Sequence, residues 1–515
     1  MTKKLLWALP VGALAMLAAP QAALADVIDG ESGVLTDSAA INSMWVIVAA
    51  VLVMFMQAGF MLLEIGFSRA KNAGTVVAKV LTNFSIAALG FWAVGFAFAF
   101  GGDSASGNDL IGSTGYFLQD FGDPLTAFPV MGIFDATVEA KFFFQFVFCA
   151  VSLAIVWGTT LERIKYGVYI IYGIIFSTLI YPIGAHWVFG GGWLQSNIGM
   201  QDFAGSTAVH LIGATGGLAV LLLLGARKGK YGGDGRPRPI PGHSMPLFGL
   251  GVFILWLGWF GFNPGTALGA TDGRFAEIVL VTQLACAAGV LTALMTSRMR
   301  QKTIDIGMVG NGAIAALVAI TAPSGYVEYW AAPLIGGVAG VVVVYGILAI
   351  DKVLDDPVGA LSAHGLAGIW GTLSCGIFSS PRLSEYNAFG VTNGDDAFTG
   401  GFLYASGLLG KGFNEVPGAA FNLEAFEQLG AQALGVTAAF AFVFAASFAT
   451  FFVIKKTFGL RVTEGEEEAG LDISEHGMYG YPEQFIPQGE FPGAATSPSA
   501  AASAGAAVRP ARSET

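Results

Sequence analysis

Asp202-Phe-Ala-Gly-Ser-Thr-Ala-Val-His210 decides how this chain is read, because Asp356-Pro-Val-Gly-Ala-Leu-Ser-Ala-His364 repeats its spacing. In both runs an aspartate stands eight residues ahead of a histidine. Eight residues of α-helix make roughly two turns and about 12 Å. A helical reading therefore puts each aspartate near a helix start and each histidine well inside. Both runs continue into apolar sequence, over 211–224 and 365–378. A histidine within a membrane helix is costly and marks a functional site whose partner has to be found. Here each histidine can be the partner of the other.

Composition supports a membrane setting. Of 515 residues, 54% are hydrophobic and 12% charged, against roughly 25% charged in a soluble domain. The net charge of −11 resides in loops and tails. No basic patch with interleaved aromatics points to nucleic acid. The 72 glycines suit close helix approach in lipid. Cys149, Cys286 and Cys375 fall in apolar spans without metal-like spacing and read as small packed hydrophobes. The leader, with Lys3 and Lys4, an apolar run over 5–19 and Ala23-Leu-Ala25, reads as a signal peptide over 1–25.

Apolar runs near twenty residues mark helices able to cross a bilayer. Eleven are found, near 42–63, 80–100, 142–161, 166–187, 206–226, 245–263, 275–297, 306–323, 330–350, 359–379 and 429–454. The expectation is an all-α polytopic membrane domain over 26–460, a cytoplasmic tail over 461–492 and a disordered end over 493–515. An outside start and eleven crossings predict an inside C-terminus. Lysine and arginine test this independently, since they concentrate on the cytoplasmic side. The inside segments hold Arg69, Lys71, Lys79, Arg163, Lys165, Arg227, Lys228, Lys230, Arg236, Arg238, Arg298, Arg300, Lys302, Lys352, Lys455, Lys456 and Arg461. The outside segments hold Arg274, Arg382 and Lys411, with Lys141 at a boundary. On this topology Asp202 opens span 5 from outside and Asp356 opens span 10 from inside. The same motif entering from opposite faces is what an inverted repeat of spans 1–5 and 6–10 produces.

Aromatic clusters border three spans: Phe142-Phe-Phe-Gln-Phe-Val-Phe148, Tyr181-Pro-Ile-Gly-Ala-His-Trp-Val-Phe-Gly-Gly-Gly192 and Trp259-Phe-Gly-Phe-Asn-Pro-Gly-Thr266. All three are expected near the outer mouth, where an interfacial aromatic belt is the plain alternative. Glu64, near Arg69 at the inner end of span 1, reads as a structural ion-pair partner. His186, His243 and His476 read as ordinary loop or capping residues.

Together these motifs resemble the ammonium transporter (Amt/Mep/Rh) family. The resemblance includes Asp355-Asp356, His364-Gly365 and, in the tail, Gly459-Leu-Arg-Val462, Glu467 to Asp472 and Glu475-His-Gly477. It runs in order from about residue 40 to 481. It implies a homotrimer with one pore per subunit, uptake of ammonium or ammonia across a bacterial inner membrane, no cofactor or metal, and no enzymatic activity. By resemblance Phe148 and Phe262 form a stacked gate, and His210 with His364 a twin-histidine pair. Phe189, Thr266, Trp259, Tyr181 and Gln145 belong to the outer site and conduction path. Asp202 and Asp356 are structural. The tail resembles a segment that covers the cytoplasmic face and takes part in control by PII-type signalling proteins.

Two positions depart from the family pattern. Phe189 stands where many members carry Trp, and Thr266 where many carry Ser. Thr266 keeps a hydroxyl acceptor; Phe189 offers a weaker π-face for a cation, so recruitment of ammonium is expected to be weaker. An ammonium sensor signalling through the tail and a Rhesus-type neutral-gas channel are the competing readings. No Ser/His/Asp set and no GxxxxGK[ST] loop supports a membrane enzyme or ATP-driven transport.

Overall fold

The computed structural model describes residues 35–102, 109–119, 127–128, 130–131, 135–384, 400–409 and 420–485. The leader, the end of the tail from 486 and Lys411 lie outside the described residues, as do parts of both long outer loops. Among the described residues the architecture is helical, with two isolated β-bridges, Ile164 to Arg461 and Tyr231 to Pro237.

Among the described residues, nine helices are long and apolar enough to cross a membrane. They are α1 (Asp37–Phe67), α2 (Ala70–Phe100), α3 (Val138–Gly158), α4 (Tyr166–Ser196), α5 (Ser206–Leu224), α6 (Met245–Gly265), α7 (Arg274–Gln301), α9 (Ala331–Ile350) and α11 (Glu424–Thr457). Two shorter apolar segments complete the bundle. The first is α8 (Ile306–Thr321); the second, α10, joins a wide π-helical turn, Leu361–Leu366, to the helix Ala367–Phe378. Short polar side chains start several of these helices by accepting an otherwise orphaned backbone N–H. Thr36 caps α1, Thr137 α3, Ser244 α6 and Asp305 α8.

The segments run alternately between two faces. On one, Arg69 pairs with Glu162, Arg227 with Asp355 and Arg461 with Glu467, while Val462 N–H donates to Arg163 O. These contacts join the ends of α1, α3, α5, α9 and α11. On the other, Ala270 N–H donates to Asn42, Phe203 N–H to Ala322 O and Ser380 N–H to Tyr326 O. The face rich in lysine and arginine is the one read as inside, and Asp202 and Asp355-Asp356 lie on opposite faces. One charge is misplaced by the sequence reading. Lys79 is not in an inner loop but within α2, buried, where it pairs with Glu64 of α1. Arg69, the partner expected for Glu64, pairs with Glu162 instead.

Helices α1 and α6 form the closest seam. A Cβ added at Gly59 would lie 2.8 Å from Leu255 Cγ, at Gly251 2.4 Å from Leu63 N, and at Gly261 2.4 Å from Ala49 O. Only glycine permits this approach, as small residues do in membrane bundles generally. Past α11, a Thr463/Glu466 capping box starts α12 (Glu464–Ala469), and α13 (Leu471–His476) follows.

Candidate functional site

Helices α3, α5, α6 and α10 bring the principal side chains together at the centre of the bundle. Phe148 of α3 and Phe262 of α6 stack face to face, with centroids 4.0 Å apart and planes 8° from parallel. The His210 ring lies under Phe262 at 5.4 Å and 29°. His364 lies beside His210, at 5.3 Å between centroids and 21°. The two Nδ1 atoms are 3.2 Å apart, so one ring donates to the other. Both histidines are at most 5% exposed. His210 Nε2 finds no hydrogen-bond partner among the described residues.

The backbone that presents these rings differs from the α-helix expected of the Asp-to-His runs. Both histidines sit in π-helical turns, Ser206–Leu211 and Leu361–Leu366. Such wide turns are rare and occur often at functional sites. Asp202 fixes the first of them. Its Oδ1 accepts from Gly205 N and Ser206 N, and its Oδ2 from Thr207 N and Ala208 N, all at 2.8–2.9 Å. Asp356 plays a lesser part, accepting from Leu361 N at 2.7 Å. Its neighbour Asp355 receives both arms of Arg227, each at 2.9 Å.

Trp259, expected at the outer mouth, stands one turn deeper on α6. Its ring stacks on His210 at 5.2 Å, and its indole N–H donates to Thr321 Oγ1 at 2.9 Å. On the outer side of the phenylalanine pair, Gln145 lies one turn from Phe148 and Thr266 one turn from Phe262. Gln145 Oε1 is buried and unpartnered among the described residues. Thr266 donates its hydroxyl proton to Phe262 O at 2.9 Å, which leaves its oxygen free to accept. Phe189, 1% exposed, ends the long helical part of α4. Tyr181 belongs to the middle of α4 rather than its outer end, and its ring packs against Phe91 and Phe176 at 6.1 and 6.0 Å.

On the inner side of the histidines is a narrow cavity of about 20 Å³, enough for a molecule the size of water. Phe60, Glu64, Gly158, Asn311 and His364 are among its lining residues. Sequence reasoning missed Thr321 as the anchor of Trp259, and it missed the Glu64–Lys79 pair. The pair had a signal: opposite charges 15 residues apart, each in an apolar run, on either side of the short turn 68–72. The described residues hold no cluster of three or more His, Cys, Asp or Glu side chains able to bind a metal ion.

A bundle of apolar helices around a buried aromatic and histidine column defines the class: a polytopic membrane protein. Comparison with known proteins gives the family. The Ammonium Transporter Family profile matches residues 44–481, and the chain belongs to that family. Ammonium transporter Amt2 of Archaeoglobus fulgidus is 40% identical over 462 residues, covering 88% of this chain and 90% of that protein. Ammonium transporter 3 of Dictyostelium discoideum is 32% identical over 447 residues, or 85% and 94% of the two chains. Among solved structures, one titled Sensor Amt Protein superposes with a TM-score of 0.72 at 33% identity, covering 85% and 99%. Saccharomyces cerevisiae Mep2 gives 0.72 at 26%, covering 88% and 94%.

Proposed function

We propose that this chain moves ammonium nitrogen into the cell through a pore within each subunit. The observation that carries this reading is the continuous buried column of stacked Phe148 and Phe262 over the hydrogen-bonded His210 and His364. Ammonium reaches an outer site where Gln145 Oε1, Thr266 Oγ1 and the Phe189 ring replace part of its water shell. The apolar gate disfavours the charged form of a base, so the cation sheds a proton there. Neutral ammonia then passes along the imidazole edges, donating to and accepting from them in turn. Two imidazoles in contact cannot easily both be charged and titrate as a pair. They are placed to relay the released proton, while Trp259 and Asp202 hold His210 in position.

The same reading takes all eleven helical segments as crossings, with α1–α5 and α6–α10 as an inverted repeat. It places the N-terminus in the periplasm after leader cleavage, the tail in the cytoplasm and three chains in the assembly. The tail packs against the inner face, where a PII-type protein would reach it. That docking, with the likeness to a structure titled Sensor Amt Protein, favours ammonium sensing as the second reading.

The deciding measurement is an ammonium jump on proteoliposomes, recording current beside internal pH. The expected result is a saturable current that persists at fixed ammonia concentration. Alkalinisation without current would instead mean a neutral-gas channel, and neither signal from folded protein would favour the sensor. In His210→Ala and His364→Ala, current should fall at least tenfold while ammonia permeation remains. Unchanged current in both would remove the relay.

A further inference from the structure

The cavity on the inner side of His364 contains a carboxylate that the pore reading does not use. Glu64 Oε2 is taken by Lys79 Nζ, and both side chains are at most 2% exposed. The other oxygen, Oε1, has no hydrogen-bond partner among the described residues. An acceptor left unsatisfied in the interior is costly, and more so on a charged group. The Asp355–Arg227 pair, by contrast, places both carboxylate oxygens on donors. The free oxygen of Glu64 lies beside Gly158, which also lines the cavity. A Cβ added there would come 3.7 Å from Oε1 and 3.0 Å from Val358 Cγ2. Glu64 and His364 line one space, large enough for a single molecule the size of water.

We propose that this cavity is an exit site, in which ammonia or ammonium leaving His364 donates an N–H to Glu64 Oε1. The inference rests on the pore reading above and adds to it a residue that sets release. Lys79 is itself an alkylammonium, held on the same carboxylate that meets the substrate. It neutralises Glu64, so a second cation gains little Coulomb energy there and departs quickly. A Glu64 without Lys79 would hold ammonium and slow its release. The Tyr169 ring, 6.0 Å from Lys79 Nζ, provides a cation–π contact that keeps the lysine in place.

The test is inhibition of uptake by ammonium loaded inside oriented proteoliposomes, expressed as the ratio of inner to outer half-effect concentrations. Glu64→Leu with Lys79→Leu removes the acceptor and both charges together and avoids leaving either charge buried alone. The ratio should rise at least tenfold in this double variant. Gly158→Ala puts a methyl group into the cavity beside Oε1 without altering charge and should raise it about threefold. Lys79→Met, which leaves the carboxylate free for substrate, should lower it. Ratios within twofold of the parent in the double variant and in Gly158→Ala overturn the exit site and leave the pair a strut. If the double variant fails to fold, judged by its melting curve, Gly158→Ala decides alone. An unaltered protein that moves no ammonium overturns the pore reading and this one with it, whereas unchanged ratios on a working transporter overturn this one only.

Discussion

At the scale of single residues, the site depends on carboxylates that gather backbone N–H groups. Asp202 serves four of them at the start of α5, and each orphaned buried donor costs about 1–3 kcal/mol. Asp202→Ala is therefore expected to destabilise the protein by about 3 kcal/mol or more, read as a fall in melting temperature in detergent. Asp202→Asn keeps one acceptor oxygen and should lose less. Trp259→Phe removes the donor to Thr321 and leaves a smaller phenyl ring in place of the indole. It should cost about 1 kcal/mol of stability and lower turnover several-fold by releasing the ring that stacks on His210. Both histidines stood out in the sequence, because histidine is conspicuous in an apolar helix, whereas Phe148 and Phe262 were paired only through the family resemblance. The depth of Trp259 did not stand out. One helical turn separates it from Phe262, and only the packing of α6 against α5 and α8 decides which faces the mouth.

At the scale of elements, the wide turns that present the histidines left no trace in the periodicity, because 206–211 and 361–366 are apolar enough to read as ordinary helix. The Arg227–Asp355 clamp was not foreseen in the sequence either, although the charge bias had put both residues on one side. Burial raises the Asp355 carboxyl, but the Arg227 hydrogen bonds and the Arg163 charge outweigh it, and the group is held well below the usual carboxylate range. A depressed acid contributes stability that is present above its unfolded value, near 4, and is lost as pH falls through the folded one. The tie from α5 to the α9–α10 loop should thus hold through mild acidification. Arg227→Ala, which strands a buried carboxylate, is expected to cost about 3–5 kcal/mol and, by removing the main group that holds Asp355 down, to make melting less sensitive to acid below pH 5 than in the parent. The docked tail offers a parallel test. Asp472 accepts from Gly74 N, Thr75 N and Thr75 Oγ1 at the start of α2 and from Gly480 N of the tail itself. Asp472→Ala should free the tail, seen as faster hydrogen exchange across 464–481 with the membrane helices unchanged.

At the scale of the whole molecule, lysines and arginines gather at one face of the described bundle, as their bias toward one side of a membrane leads one to expect. Lys79 departs from that pattern, because a charge paired inside the bundle obeys a different balance. Assembly is a separate question. Helix α1 turns Met44, Val48, Val51 and Phe55 outward, and α7 does the same with Leu291, Met295 and Met299. These faces meet either lipid or another subunit, and native mass spectrometry in detergent is expected to count three chains. The glycine seam between α1 and α6 has a mechanical consequence. With backbone against backbone along its length, it leaves no slack for one half of the protein to rock over the other. Passage should then need no stroke of the protein, and turnover should stay nearly constant as the surrounding bilayer is made more viscous.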